Sequence, residues 1–134
     1  MSDENEAVVR QAIDACNRGD YVALSRLVTP GCIAHTSWGA HTMEGWKVSQ
    51  ASLRTAFPDT VVTVDGIMAK GNNVAARYTI QGTRRRACKA IAATDKLTTI
   101  KAMGMWRIND GRIEEFWVQL DLFDALQESV PIRL

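Results

Sequence analysis

No apolar run in this 134-residue chain approaches the ~20 residues of a membrane-spanning helix, so no membrane partner is expected. The first residues, Met1-Ser2-Asp3-Glu4-Asn5-Glu6, are acidic and lack the apolar segment of a secretory signal. Cysteine is scarce: Cys16, Cys32 and Cys88 are odd in number and far apart. They form neither a disulfide framework nor a zinc site, and they fit a reducing, cytoplasmic setting. His35 and His41 are the only histidines, and without clustered Cys or acidic partners no metal is expected. Charge of one sign is missing as well, since 16 Lys and Arg face 15 Asp and Glu. That balance points away from nucleic acid as the main partner. The basic run Arg84-Arg85-Arg86, with Lys89, lacks interleaved aromatics for base stacking. It reads as a solvated rim or as a patch that steers an anionic substrate. Repeats, low-complexity segments and linkers are absent, so residues 1–134 are read as a single domain, and 46% apolar residues suffice for a core.

What is present is concentrated near the C-terminus. Asn109-Asp110-Gly111 is a hairpin turn signal, because these residue types tolerate positive φ. The strand after it alternates, with Ile113, Glu115, Trp117, Gln119 and Asp121 on one face and Glu114, Phe116, Val118 and Leu120 on the other. The first set mixes an indole with an amide and a carboxylate, which suits a pocket wall better than a dry core. A carboxylate in such a wall is a candidate acid/base, since desolvation raises its pKa. Asp121 is equally placed to N-cap a short helix over Leu122–Glu128, and one residue can do both.

Upstream, helical spacing of Val9, Ala12, Ile13 and Cys16 predicts a first helix ending at Arg18-Gly19. Asp20 caps a second, with Tyr21, Leu24, Leu27 and Val28 inward, broken by Pro30-Gly31. Cys32–Thr36 reads as a short strand carrying His35, and Ser37–His41 as a loop. Thr42 caps a third helix, Met43–Phe57, with Trp46, Leu53 and Phe57 inward, and Pro58 stops it. Strands follow at Thr60–Lys70, Val74–Arg84 and Lys96–Asn109, with a loop over Arg85–Asp95 and a tail after the last helix. On the second of these, Arg77, Thr79, Gln81 and Thr83 share one face and Ala76, Tyr78 and Ile80 the other. Helices first and strands last give an α+β fold, with helices covering one face of a curved, mostly antiparallel sheet. Apolar residues on both strand faces lead us to expect a homodimer through the outer face.

The chain resembles the SnoaL-like polyketide cyclases of the nuclear-transport-factor-2-like superfamily of cone-shaped α+β barrels. The marks run in order: Gly19-Asp20 and Leu24; His35; Gly45-Trp46; Phe57-Pro58-Asp59; Arg77 before Gly82-Thr83; Thr94 and Lys96. Last come Arg107, Asp110-Gly111, Ile113, Glu115, Trp117 and Asp121. The resemblance implies a deep pocket between helices and sheet. There an Asp matching Asp121 acts as acid/base in an intramolecular aldol closure, without metal or organic cofactor. It further implies His35 as a second proton-transfer or orienting group. Trp117, Gln119, Trp38, Arg77, Met103, Met105 and Phe57 would bind an apolar, polar-decorated small molecule. The chain departs from the family pattern at Arg84-Arg85-Arg86 and at Met103-Gly104-Met105, where a His is usual.

Two other readings stay open. Limonene epoxide hydrolase shares the superfamily, and Arg77 matches its Arg. Thr79 and Gln119 stand where its carboxylates would be, which argues against hydrolysis but leaves an intramolecular epoxide opening. The third is a non-catalytic member that binds a ligand or partner chain.

Overall fold

A computed structural model describes residues 2–83 and 96–121. Helix α1 spans Ser2–Arg18, with Asp3 and Glu4 at the positive end of its dipole and Arg18 at the negative end. Val9, Ala12 and Ala15 are its buried residues, and Ile13 and Cys16 flank them. Gly19, at φ 64°, ends it. The Asp20 carboxylate accepts the Ala23 N–H at 3.0 Å and starts α2, Tyr21–Leu27. The Thr42 hydroxyl accepts the Gly45 N–H at 3.2 Å and starts α3, Met43–Ala56.

The strands are β1 (Val28–Thr36), β2 (Gly39–Thr42), β3 (Val61–Lys70), β4 (Asn73–Thr83), β5 (Leu97–Asn109) and β6 (Arg112–Leu120). They form one open sheet in the order β2-β1-β6-β5-β4-β3. Every neighbouring pair is antiparallel except β1 and β6. The three helices lie against one side of this curved sheet, which is the expected α+β cone. Among the described residues no helix is long and apolar enough to cross a membrane.

Two stretches differ from expectation. β1 begins at Val28 rather than Cys32 and runs through Pro30-Gly31. Its register against β6 is irregular between Val28 and Ile33, so the proline falls where the ladder is interrupted and no N–H is missed. Ser37–His41 is not a loop but the turn and first part of a hairpin, because Gly39–Thr42 pairs back onto Ile33–Thr36. The loop expected over Arg85–Asp95 and the helix and tail expected after Asp121 lie outside the described residues.

The β5–β6 hairpin turns as expected at Asp110 and Gly111, whose φ values of 50° and 75° are those of a two-residue primed turn. The edge strand β3 is tied to α1 by one side chain. Asn17 donates to the Val62 carbonyl and accepts the Val62 N–H, both at 2.8 Å. This pairs backbone groups that an edge strand otherwise leaves open.

Candidate active site

The inner face of the sheet and the three helices enclose a cavity of about 180 Å³. Alternation brings Tyr78 and Ile80 from β4, Thr98, Ile100 and Trp106 from β5, and Phe116, Val118 and Leu120 from β6 into its wall. Helix α1 adds Ala12, Ile13 and Cys16, and α3 adds Trp46, Gln50, Leu53 and Arg54. Trp38 and Phe57, both expected as binding residues, also line it.

Aromatic rings build the closed side. Trp106 stacks near-parallel on Phe116, centroids 6.4 Å apart, and Trp46 meets Phe116 edge-on at 5.5 Å. Gly104 makes room for the Trp106 indole. A Cβ there would sit 2.5 Å from Trp106 Cη2. Within Met103-Gly104-Met105, the stretch where the family pattern has a His, the space beside Gly104 is thus filled by the ring of the residue two further on.

The polar groups of the wall are few. Arg54 donates to the carbonyls of Cys16 and Asn17 at the C-terminus of α1, where a cation is favoured. Burial pushes the Cys16 thiol up to about 11, against a smaller lowering by the Arg54 charge, so it stays an unreactive thiol near neutrality. Burial likewise raises Tyr78, with Cys16 adding to it, and keeps the phenol neutral throughout the physiological range. Among the described residues no Asp, Glu or His lines the cavity. Nor does any group of three or more His, Cys, Asp and Glu among them have the arrangement to hold a metal ion.

Several expected site residues lie on the other side of the sheet. For Trp117 and Gln119 the reason is a bulge: Ile108 pairs with Ile113 but Arg107 pairs with Glu115, so Glu114 is extra. The extra residue inverts the alternation. Ile113 faces the interior together with Phe116, Val118 and Leu120, and Trp117 and Gln119 take the outer face. Met103 and Met105 pair with Gln119 and Trp117 and are 63% and 47% exposed there. Arg77 pairs with Met103 and is exposed on the same face. Thr79 belongs to that face too, its hydroxyl bonded to Asp65 and to Lys101. All three positions of the epoxide-opening alternative, Arg77, Thr79 and Gln119, thus point away from the cavity.

His35 is also on the outer face. It pairs with Trp117 and stacks on its indole at 5.2 Å, and its Nε2 is 2.6 Å from Glu115. The other Glu115 oxygen accepts from Arg107 at 2.7 Å, and Arg107 also bonds Glu114. Arg107 first, and His35 second, hold the Glu115 carboxyl below the usual carboxylate range. Asp121 follows Leu120 at the end of β6, is exposed, and donates its N–H to the Lys101 carbonyl at 2.8 Å. It lies four positions beyond Trp117, the pairing partner of His35, or roughly 13 Å of strand. His35 and Asp121 are therefore not a hydrogen-bonded pair. His41, in β2, bonds the Thr36 hydroxyl at 3.1 Å.

Sequence reasoning passed over Tyr78 and Arg54. For Tyr78 the signal was available: it lies between Ala76 and Ile80 on the apolar face of a strand whose other face is Arg77, Thr79 and Gln81. For Arg54 there was none, because its partners are carbonyls of a different helix.

The sequence profile of the SnoaL-like polyketide cyclases matches residues 6–129. The chain belongs to this family. IdmH from Streptomyces antibioticus, a proposed polyketide cyclase, is 25% identical, with a TM-score of 0.83 over 92% of this chain and 96% of that one. AclR from Streptomyces galilaeus, a proposed hydroxylase, is 21% identical with a TM-score of 0.84, covering 96% of each chain. A proposed SnoaL-like cyclase from Jannaschia sp. CCS1 is 18% identical with a TM-score of 0.87, covering 98% of this chain and 95% of that one. The last two likenesses concern the fold alone. No curated protein matches the sequence.

Proposed function

We propose that this SnoaL-like protein closes a ring in a polyketide-like small molecule by an intramolecular aldol step, with Asp121 as the acid/base and no cofactor. The observation that carries this reading is the composition of the cavity. Its wall is mostly apolar and aromatic and, among the described residues, contains no carboxylate or imidazole. Proton transfer then falls to a group outside this wall. Asp121 directly follows Leu120, which is part of the wall.

The chemistry balances without a further reagent. The Asp121 carboxylate removes the acidified α-proton of a poly-keto ester. The enolate carbon bonds to a carbonyl carbon of the same chain. The resulting alkoxide takes the proton back from the Asp121 carboxylic acid. The cavity supplies the fold of the substrate and the approach of the two carbons. An engineered cavity of ~150 Å³ holds benzene, so about 180 Å³ encloses one ring or two fused rings. The remainder of a longer chain would extend past the rim.

The test is Asp121→Asn assayed on a linear poly-β-keto ester. Binding should hold within about two-fold, and turnover should fall at least ~100-fold, the usual contribution of a general acid/base. Wild-type turnover in the variant would remove Asp121 from the mechanism. One observation favours a second reading, a ligand carrier without chemistry: the Asp121 residue is exposed and outside the wall. Wild-type protein that binds such esters and never cyclises them would support that reading. We further assign the outer sheet face to a second copy of the chain, and localisation to the cytoplasm.

A further inference from the structure

We propose that Tyr78 is the anchor for a ketone or enolate oxygen of the molecule bound in the cavity, donating a hydrogen bond from its phenol to that oxygen. This rests on the reading of the cavity as a small-molecule site and goes on to name the group that fixes the guest's orientation.

Tyr78 is 7% exposed and its side chain lines the cavity. Its ring is held by Trp106, tilted 49° at a centroid distance of 6.3 Å. Its hydroxyl makes no hydrogen bond among the described residues. Buried phenols nearly always have a partner, because an unmade bond leaves the desolvation uncompensated. An oxygen acceptor on a guest supplies the missing partner. Water in the empty cavity can stand in for it until the guest arrives.

The surroundings select what that guest atom is. Desolvation disfavours the phenolate, so Tyr78 remains a neutral donor and matches an acceptor rather than a cation. Cys16 and Arg54 line the same cavity, where Arg54 donates to the carbonyls of Cys16 and Asn17. A guanidinium in the wall favours an oxygen that gains negative charge. The rest of the wall is mostly hydrocarbon and aromatic, with Gln50 and a few Ser and Thr hydroxyls among it, and so accepts the carbon skeleton. A ring ketone, or the enolate formed from it, meets all three conditions.

The probes are 1-tetralone, a bicyclic aromatic ketone, and tetralin, the same skeleton without the oxygen. Each is titrated by NMR against wild-type protein and Tyr78→Phe. The phenol donor predicts that tetralone binds about 10-fold more weakly to the variant, the size of one neutral hydrogen bond. Tetralin should bind both proteins within two-fold, which also reports that the variant cavity is intact. The infrared carbonyl stretch of tetralone bound to the wild type should lie at lower frequency than in an alkane, and the variant should lose that shift. Equal tetralone affinity in both proteins, with tetralin bound, overturns the role of Tyr78 and leaves the cavity as a ligand site. Failure of both probes to enter the wild-type cavity overturns the ligand-site reading and this proposal with it. If the variant does not fold, an unshifted carbonyl stretch in the wild type alone refutes the anchor.

Discussion

Gly104 is where one missing side chain shapes the cavity. It lies between two exposed methionines, Met103 and Met105, and on the inner face of its strand it is flanked by Ala102 and Trp106. A Cβ at this position would meet three atoms of the Trp106 ring between 2.5 and 3.1 Å, closer than carbon atoms approach. The indole is wedged against Phe116 and Tyr78 and has little room to yield. Gly104→Ala is therefore expected to destabilise the fold by about 1–3 kcal/mol, the cost of overpacking, despite the better strand propensity of alanine. Urea denaturation followed by tryptophan fluorescence checks this, and an unchanged midpoint would mean that Trp106 repacks freely. The same substitution should weaken tetralone binding, since the displaced ring moves into the cavity.

The elements show which parts of a sequence can be read and which cannot. Caps and turns are local, so Asp20, Thr42 and Asp110-Gly111 announced their elements correctly. The bulge at Glu114 was not legible. It depends on how β5 and β6 pair, and a single extra residue reverses the face of everything after it. Trp117 and Gln119 were assigned to the cavity for that reason, and Phe116, Val118 and Leu120 to the opposite face. β1 was cut short because Pro30-Gly31 reads as a breaker wherever the partner strand is unknown, and its parallel pairing to β6 spans most of the chain. Trp38 and Phe57 were recognisable in the wall, as was the order of helices and strands apart from β2. The bulge also creates a cluster whose pH behaviour can be measured. Glu114 and Glu115 both reach Arg107, Asn109 donates to Glu114, and His35 contacts Glu115. Glu115 titrates below its unfolded value, so its contribution to stability is complete above about pH 4.3. That contribution disappears as pH falls through the lower, folded value. Glu115→Gln should lower the denaturation midpoint at pH 7, and the gap to wild type should close on acidification below pH ~4. A gap that is constant from pH 7 to pH 3 would show that the carboxylate charge is not what stabilises this hairpin.

For the molecule as a whole, the sheet has two unlike faces, and among the described residues helices lie against only one of them. Across the other face runs a continuous row, Met68, Ala75, Met105, Trp117 and His35, each paired with the next across β3, β4, β5, β6 and β1. Met103 lies in the adjoining row between Arg77 and Gln119. Met68 is 70% exposed and Met103 63%, while Trp117 is partly screened by His35. Four spacings of about 4.8 Å make the first row roughly 19 Å wide, a largely apolar band with polar groups on both sides. A two-fold axis through such a band sets each methionine row against its copy and lets Arg77 approach the acceptors of the opposing rim, which is how a self-complementary interface closes. Methionine suits that use because its flexible, polarisable side chain adapts to an identical partner. The wild-type chain should sediment as a dimer at micromolar concentration. Met103→Glu combined with Met105→Glu should shift it to monomer, because four carboxylates would meet across the axis, while the interior, and with it tetralin binding, stays unchanged. A wild-type protein that sediments as a monomer, or a double variant that remains dimeric, would place the contact elsewhere and leave the methionine band without its partner.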